Sequence, residues 1–142
     1  SSSTSIDFET GIGSTYDFYM IQFHGVVAAS AGADLWMRTK DAGGWNASGY
    51  FYNGGSTQNQ ILVAASLNAT HSCHGRAYFS DPTSTTLQIF DTNASHYNNA
   101  ASGVNTTTGG YQTDSTATTG IRFLMSTGNI ASGTFVLFGM RK

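Results

Sequence analysis

Large apolar residues in this chain recur at every second position, in short stretches bounded by Gly, Asn, Asp and Ser. In the stretch Tyr16–Val27, this alternation places Tyr19, Ile21 and Phe23 on one face of an extended strand. We expect that face to point into a core. The opposite face carries Phe18, Met20, Gln22 and His24. It is half apolar, so we expect more than solvent to cover it.

The same reading along the chain predicts about nine strands and no helix with a clear period of 3.6 residues. The predicted strands are Ile6–Glu9, Tyr16–Val27, Leu35–Thr39, Gly49–Tyr52, Gln60–Ala64, Gly75–Phe79, Thr86–Asp91, Gly120–Ser126 and Gly133–Arg141. Short strands separated by turn residues are typical of an all-β sandwich or barrel. The polar stretches 53–60 and 91–114 are expected to be surface loops, the second one alternatively a weak edge strand.

The segment 121–142 is dense in large apolar residues, and its last strand is apolar on both faces. We expect a terminal hairpin, with strands Ile121–Met125 and Phe135–Met140 joined by a turn at Gly128 and Asn129. A strand that is apolar on both sides is covered on both sides, by a loop or by another subunit. The predicted subunit-contact residues are Phe18, Met20, Val136, Phe138 and Met140.

Length and composition narrow the class of protein. The 142 residues suffice for one domain, 1–142, in which 1–15 could form an N-terminal arm. Only 10% of the residues are charged, against about 25% in ordinary soluble domains. The formal net charge of −2 and the six Lys and Arg residues argue against a nucleic-acid partner. No apolar run approaches the ~20 residues of a membrane helix, so we expect no membrane insertion.

Sequence motifs for catalysis are lacking. HSCHGR, at positions 71–76, offers His71 and Cys73 as weak candidate metal ligands, but no second ligand cluster accompanies them. A Cys–His nucleophile pair is disfavoured because adjacent Cys73 and His74 diverge in an extended chain. Phosphate-binding loops and nucleophile elbows are missing from the sequence. We therefore expect no enzyme activity, no catalytic residues, no metal and no cofactor.

Aromatic residues beside small polar ones suggest a second kind of site. A sugar-binding or protein-binding surface uses such side chains as flat platforms. The candidates for glycan or partner binding are Trp45, Tyr50, Tyr52, Tyr97 and Tyr111. The plainer interpretation is that these are half-buried strand residues, because aromatic residues favour strands.

The closing segment, IRFLMSTGNIASGTFVLFGMRK, resembles the C-terminal signature of β-sandwich structural and tail-fibre-like proteins of tailed bacteriophages, especially marine ones. In that family an aliphatic–aromatic strand precedes S-x-G-N-I-A-S-G-T and a final strand; Phe138 stands where Tyr is common. Asp34–Arg38 and Gly75–Phe79 are similar to further parts of the family pattern, and the resemblance extends from about residue 16 to the end. A Pro that often follows the family's first strand is missing after Val26.

The resemblance implies a jelly-roll-like antiparallel β-sandwich of about 8–10 strands on a virion surface. The expected function is that of a bacteriophage structural protein, either a capsid decoration or cement protein or a small fibre or tail appendage subunit. We expect it to form a homo-oligomer, a trimer, that contacts other capsid or tail proteins and acts by self-assembly and binding. Host-surface glycan is a further expected partner. The alternative function is a carbohydrate-binding, lectin-like β-sandwich module.

Overall fold

The computed structural model describes residues 2–52, 55, 57–113 and 116–140. In these ranges the chain forms eleven β-strands and no helix. The strands are β1 (Ser5–Phe8), β2 (Phe18–Ala28), β3 (Ala33–Asp41), β4 (Gly44–Trp45), β5 (Tyr50–Tyr52), β6 (Ile61–Leu67), β7 (Cys73–Ser80), β8 (Gln88–Tyr97), β9 (Gly103–Gln112), β10 (Gly120–Met125) and β11 (Ile130–Met140).

Two antiparallel sheets pack face to face. The six-stranded sheet has the order β11-β2-β7-β8-β9-β5. The five-stranded sheet has the order β1-β10-β3-β4, and β6 also pairs with β3. This arrangement confirms the predicted class, an all-β antiparallel sandwich. Each of the nine predicted strands has a counterpart, and β4 and β9 are the two additional strands.

The polar stretch 91–114 is where the loop prediction is wrong. Strands β8 and β9 form a long hairpin there, in regular register from Gln88 opposite Gln112 to Tyr97 opposite Gly103. The alternative prediction, an edge strand, is closer to the structure, because β5 pairs with only the last three residues of β9. Asp114, positions 53, 54 and 56 of the predicted loop 53–60, and Arg141 at the end of the last predicted strand lie outside the described residues.

The closing segment is not a hairpin. Strand β10 lies in the five-stranded sheet between β1 and β3, whereas β11 forms the edge of the six-stranded sheet beside β2. The connection over Ser126–Asn129 therefore crosses from one sheet to the other, with Met125 and Ile130 buried at its two ends. Both edges of β10 are occupied, by β1 and β3, so β11 has no free edge of β10 with which to pair.

The core between the sheets is aromatic and aliphatic at one end and polar at the other. Phe23, Phe123 and Phe135 form a ring cluster with centroid distances of 5.0–6.1 Å. At the polar end the buried hydroxyl of Tyr50 accepts a hydrogen bond from the backbone N–H of Thr39, at 2.8 Å. The Thr39 hydroxyl also donates to the buried amide oxygen of Gln112. Hydrogen bonding thus replaces apolar contact in this part of the core.

Most of the expected N-terminal arm belongs to the sandwich. Strand β1 pairs with β10, and Ile6, Phe8 and Ile12 pack against the core. Asp7 forms a two-pronged ion pair with Arg122, with N–O distances of 2.8 and 2.6 Å. The guanidinium of Arg122 lowers the pKa of Asp7. These contacts fix β1 as the edge strand of its sheet.

Candidate functional site on the outer face of the six-stranded sheet

Large exposed apolar side chains are concentrated on one surface. The described residues of this type are Leu87, Ile89, Tyr111, Val136, Phe138 and Met140, each 39–51% exposed. Strand alternation places five of them on the outer face of the six-stranded sheet, and Leu87 directly precedes β8. Scattered exposed apolar residues are ordinary on protein surfaces, but a set confined to one face marks an interaction surface.

Strand register joins these side chains into one continuous surface. One row across the sheet contains Met140, Phe18, Ser80, Ile89, Tyr111 and Phe51. The next row contains Phe138, Met20, Tyr78 and Asp91. Aromatic rings stack within the surface, Phe18 on Tyr78 at 5.4 Å and Phe51 on Tyr111 at 5.2 Å. We call the residues Phe18, Met20, Phe51, Tyr78, Leu87, Ile89, Tyr111, Val136, Phe138 and Met140 the apolar patch.

The apolar patch carries little charge and extends to an open sheet edge. Asp91 is the charged residue in its two rows, and β11 has none between Ile130 and Met140. The outer edge of β11 pairs, within the described ranges, only at Ile130, whose N–H and C=O exchange hydrogen bonds with Ser3. Native proteins usually protect such edges with charge, Pro or cover, so this edge is suited to contact with another protein.

The structure brings the predicted subunit-contact residues together. Phe138 lies opposite Met20, and Met140 lies opposite Phe18. Their role in subunit contact remains a prediction. Sequence reasoning missed Leu87 and Ile89, although their alternation with buried Gln88 and Phe90 was a readable signal. A hollow of about 280 Å³ lies between Phe18, Tyr78 and Ile89.

The other end of the same face is polar. A groove of about 600 Å³ is lined by Gln22, His24, His74, Arg76, Asn93 and Ser95, together with Met20, Phe23 and Gly75. We call these nine residues the polar groove. The boundary between the two areas follows the register row that runs from Val136 through Gln22 and Arg76 to Asn93.

The five aromatic candidates for glycan or partner binding do not form one platform. Tyr50 is completely buried, and Tyr52 packs on the core against Phe90. The structure corrects the prediction of a surface platform for these two residues, because both face inward on β5. Trp45 contacts the guanidinium of Arg122, 4.1 Å from the ring centroid, on the five-stranded sheet. The two remaining candidates, Tyr97 and Tyr111, also lie on separate parts of the surface.

Tyr97 stacks against His71 at the far end of β8, with a centroid distance of 4.7 Å. Tyr111 belongs to the apolar patch and is the one candidate of the five that is prominently exposed there. A shared sugar platform is therefore not available from this set of side chains.

The weak metal candidates are separated as well. Cys73 is buried in the hydrophobic core, where desolvation raises its pKa to about 12. His71 is exposed and contacts Asn68 and Thr70 through Nδ1. Across the described residues, no three His, Cys, Asp or Glu side chains are grouped so that they could hold a metal ion. At neutral pH the Cys73 thiol is neither a thiolate ligand nor a nucleophile.

Comparison with known proteins identifies no family for this chain. No protein-family model matches the chain, and no curated protein matches it at a significant level. In the portion of the chain that the structure describes, no helix has the length and hydrophobicity needed to cross a membrane.

Proposed function

We propose that this protein is a bacteriophage virion structural protein, displayed on the particle surface, that acts by self-assembly and binding rather than by catalysis. The observation that carries the proposal is the apolar patch beside the open edge of β11. The resemblance of the closing segment to tailed-phage structural proteins supports the virion assignment. Capsid decoration or cement protein and small fibre or tail appendage subunit are the two roles that this proposal includes.

A second copy of the chain is the proposed occupant of the apolar patch. Interface cores are enriched in aromatic residues and Met and depleted in charge, and the patch has this composition. The patch residues are uncharged, so two patches meet with little electrostatic repulsion, whereas a strongly charged partner would find only Asp91 and Arg76 at the border of the patch. Each copy would therefore remove its own exposed apolar area from water.

We propose a trimer as the assembled form. The patch occupies one end of the face and reaches the edge at β11, so three copies can meet around a single axis through these ends. The polar groove then lies away from the axis. Other capsid or tail proteins would contact the remaining surface of the trimer.

The mass of the native species tests this proposal. We expect light scattering after gel filtration to give about 45 kDa, three times the subunit mass of 15.0 kDa. The double variant Phe138→Ser, Met140→Ser should give the monomer mass, with an unchanged far-ultraviolet circular dichroism spectrum. Leu124→Ser, a matched apolar-to-polar change on the five-stranded sheet, should leave the trimer intact.

A wild-type protein that stays monomeric at its highest soluble concentration would refute self-assembly through the patch. A trimer that the double variant leaves unaffected would refute the assignment of these residues. The carbohydrate-binding alternative is not proposed on Trp45, Tyr50, Tyr52, Tyr97 and Tyr111, because the structure distributes them over separate surfaces and the core.

A further inference from the structure

The polar groove is built by a break in the pairing of β2 with β7. The register changes from Phe23 opposite Gly75 to Val26 opposite Cys73, so His24 and Gly25 together oppose His74. Gly25 adopts a left-handed backbone conformation, with φ of +64°, which a bulge of this kind requires. The extra residue brings His24 and His74, fifty residues apart in the chain, to the same groove.

Hydrogen bonds hold one side of the groove in place. The backbone N–H of Gly25 donates to Nδ1 of His74 at 3.3 Å, and Nε2 of the same ring is 2.9 Å from the Ser72 hydroxyl. On the opposite side Asn93 donates to the Thr107 hydroxyl at 2.9 Å. Ser95 is likewise hydrogen bonded to a side chain of β9.

Three further groups in the groove retain unused hydrogen-bonding capacity. Within the described part of the chain, the side chains of Gln22 and His24 make no hydrogen bond. The guanidinium of Arg76 lies over the ring of Tyr78, 5.5 Å from its centroid, and makes no ion pair among the described residues. None of the nine residues that line the groove is a carboxylate. The groove therefore combines one permanent positive charge with amide, hydroxyl and imidazole groups.

We propose that the polar groove binds a carboxylated sugar. A guanidinium pairs with a carboxylate through two parallel hydrogen bonds, which assigns the acidic group to Arg76. The side chains of Gln22, Asn93 and Ser95 both donate and accept, as ring hydroxyl groups do. The volume of about 600 Å³ lies within the range of small-molecule sites. This ligand site goes beyond the proposed structural role, and of the patch residues it includes only Met20.

Titration of the full chain with glucuronate tests the site, with two-dimensional amide NMR as the readout. We expect saturable shifts at residues 22–25, 74–76 and 93–95. Glucose, which lacks the carboxylate, and acetate, which lacks the ring hydroxyls, should each bind about tenfold more weakly, the scale of one charged hydrogen bond. Equal binding of acetate and glucuronate would reduce the groove to a simple anion site and overturn the proposal.

Charge-matched variants identify the residue that holds the acid. Arg76→Gln should weaken glucuronate binding about tenfold, whereas Lys40→Gln, which removes one positive charge from the other sheet, should not change it. Gln22→Ala should weaken binding of glucuronate and of glucose alike. Unchanged binding in Arg76→Gln, or no shift of groove residues in the wild type, would refute the site.

These results are separable from those for the assembly. A trimer that does not bind glucuronate would remove the groove proposal alone. A monomer that binds it would remove the assembly proposal alone. The Phe138→Ser, Met140→Ser variant should bind glucuronate as the wild type does, since the groove lies outside its altered positions.

Discussion

Replacement of Gly75 by Ala tests how closely the central strands of the six-stranded sheet approach each other. Gly75 lies in β7 between Phe23 of β2 and Ala94 of β8. A Cβ atom at this position would lie 2.2 Å from the backbone oxygen of Asn93, 2.6 Å from Cζ of Phe23 and 2.9 Å from Cα of Ala94. Carbon atoms in contact prefer separations of about 3.5–4.0 Å. The added methyl group therefore has no room unless neighbouring atoms move.

The cost follows from which atoms have to move. Two of the three are backbone atoms of β8, which cannot rotate away, and the third belongs to a ring packed against Phe123 and Phe135. Overpacking of this kind costs about 1–3 kcal/mol, and we expect the upper end of that range. Removing a strand glycine returns about 0.5–1 kcal/mol. The net loss should be about 2 kcal/mol, which for a chain of this length lowers Tm by about 7 °C.

Urea unfolding followed by tryptophan fluorescence, at one fixed protein concentration, measures the loss. Gly109→Ala in β9 is the matched control, because a Cβ there would meet nothing within 4 Å. The control should be as stable as the wild type or slightly more stable. If Gly75→Ala and Gly109→Ala unfold at the same urea concentration, the close approach of β7 and β8 is not as described, and the argument fails.

Three further outcomes are expected. Tyr50→Phe should lower the free energy of unfolding by about 1–3 kcal/mol, because it leaves a buried backbone N–H of β3 without its acceptor, whereas Tyr111→Phe at an exposed hydroxyl should have little effect in the same urea assay. Arg122 lowers the pKa of Asp7 from an ordinary value of 3.8, so the ion pair stabilises the fold above pH 4 and this stabilisation is lost as the pH falls through the lower pKa of the folded state. Acid unfolding curves of Asp7→Asn should therefore show a weaker pH dependence in that window. A dependence identical to that of the wild type would contradict the ion pair. The Cys73 thiol, with its pKa raised to about 12, should resist iodoacetamide at pH 8 in the folded protein and react in urea, as read by mass; rapid alkylation of the folded protein would contradict its burial.

Alternation of large apolar residues carried most of the information that the sequence held about the fold. Where one face of a strand bears aromatic or aliphatic residues, as in β2 with Tyr19, Ile21 and Phe23, the predicted core face is the buried one. The signal failed for the second part of β8 and for β9, because their inward positions include Thr92, His96 and other polar residues. Such residues are buried only because partners from other strands satisfy them. For example, the Thr92 hydroxyl donates a hydrogen bond to the carbonyl oxygen of Leu62 on β6, at 3.3 Å.

The site was less accessible to sequence reasoning than the fold. The outward residues of β2 and β11 could be assigned to one surface because each strand carries its own alternating pattern. The polar groove could not be found in this way, because it depends on which strands are neighbours and on the bulge at Gly25. Among the aromatic candidates, Tyr50 was misplaced for a related reason: its neighbours in the sequence are those of a surface platform, but the residue lies in the core.

The crossing of the chain from β10 to β11 has a consequence for how the protein acquires its structure. One short segment completes both sheets, since β10 enters between β1 and β3 while β11 joins β2. The pairing of Phe18 with Met140 spans nearly the whole chain, and such distant contacts form slowly. During synthesis on the ribosome, the edge of β2 that pairs with β11 stays unpaired until β11 emerges. A chain stopped before residue 130 should therefore lack the partner of β2, fail to reach the native state and be removed by chaperones or proteases.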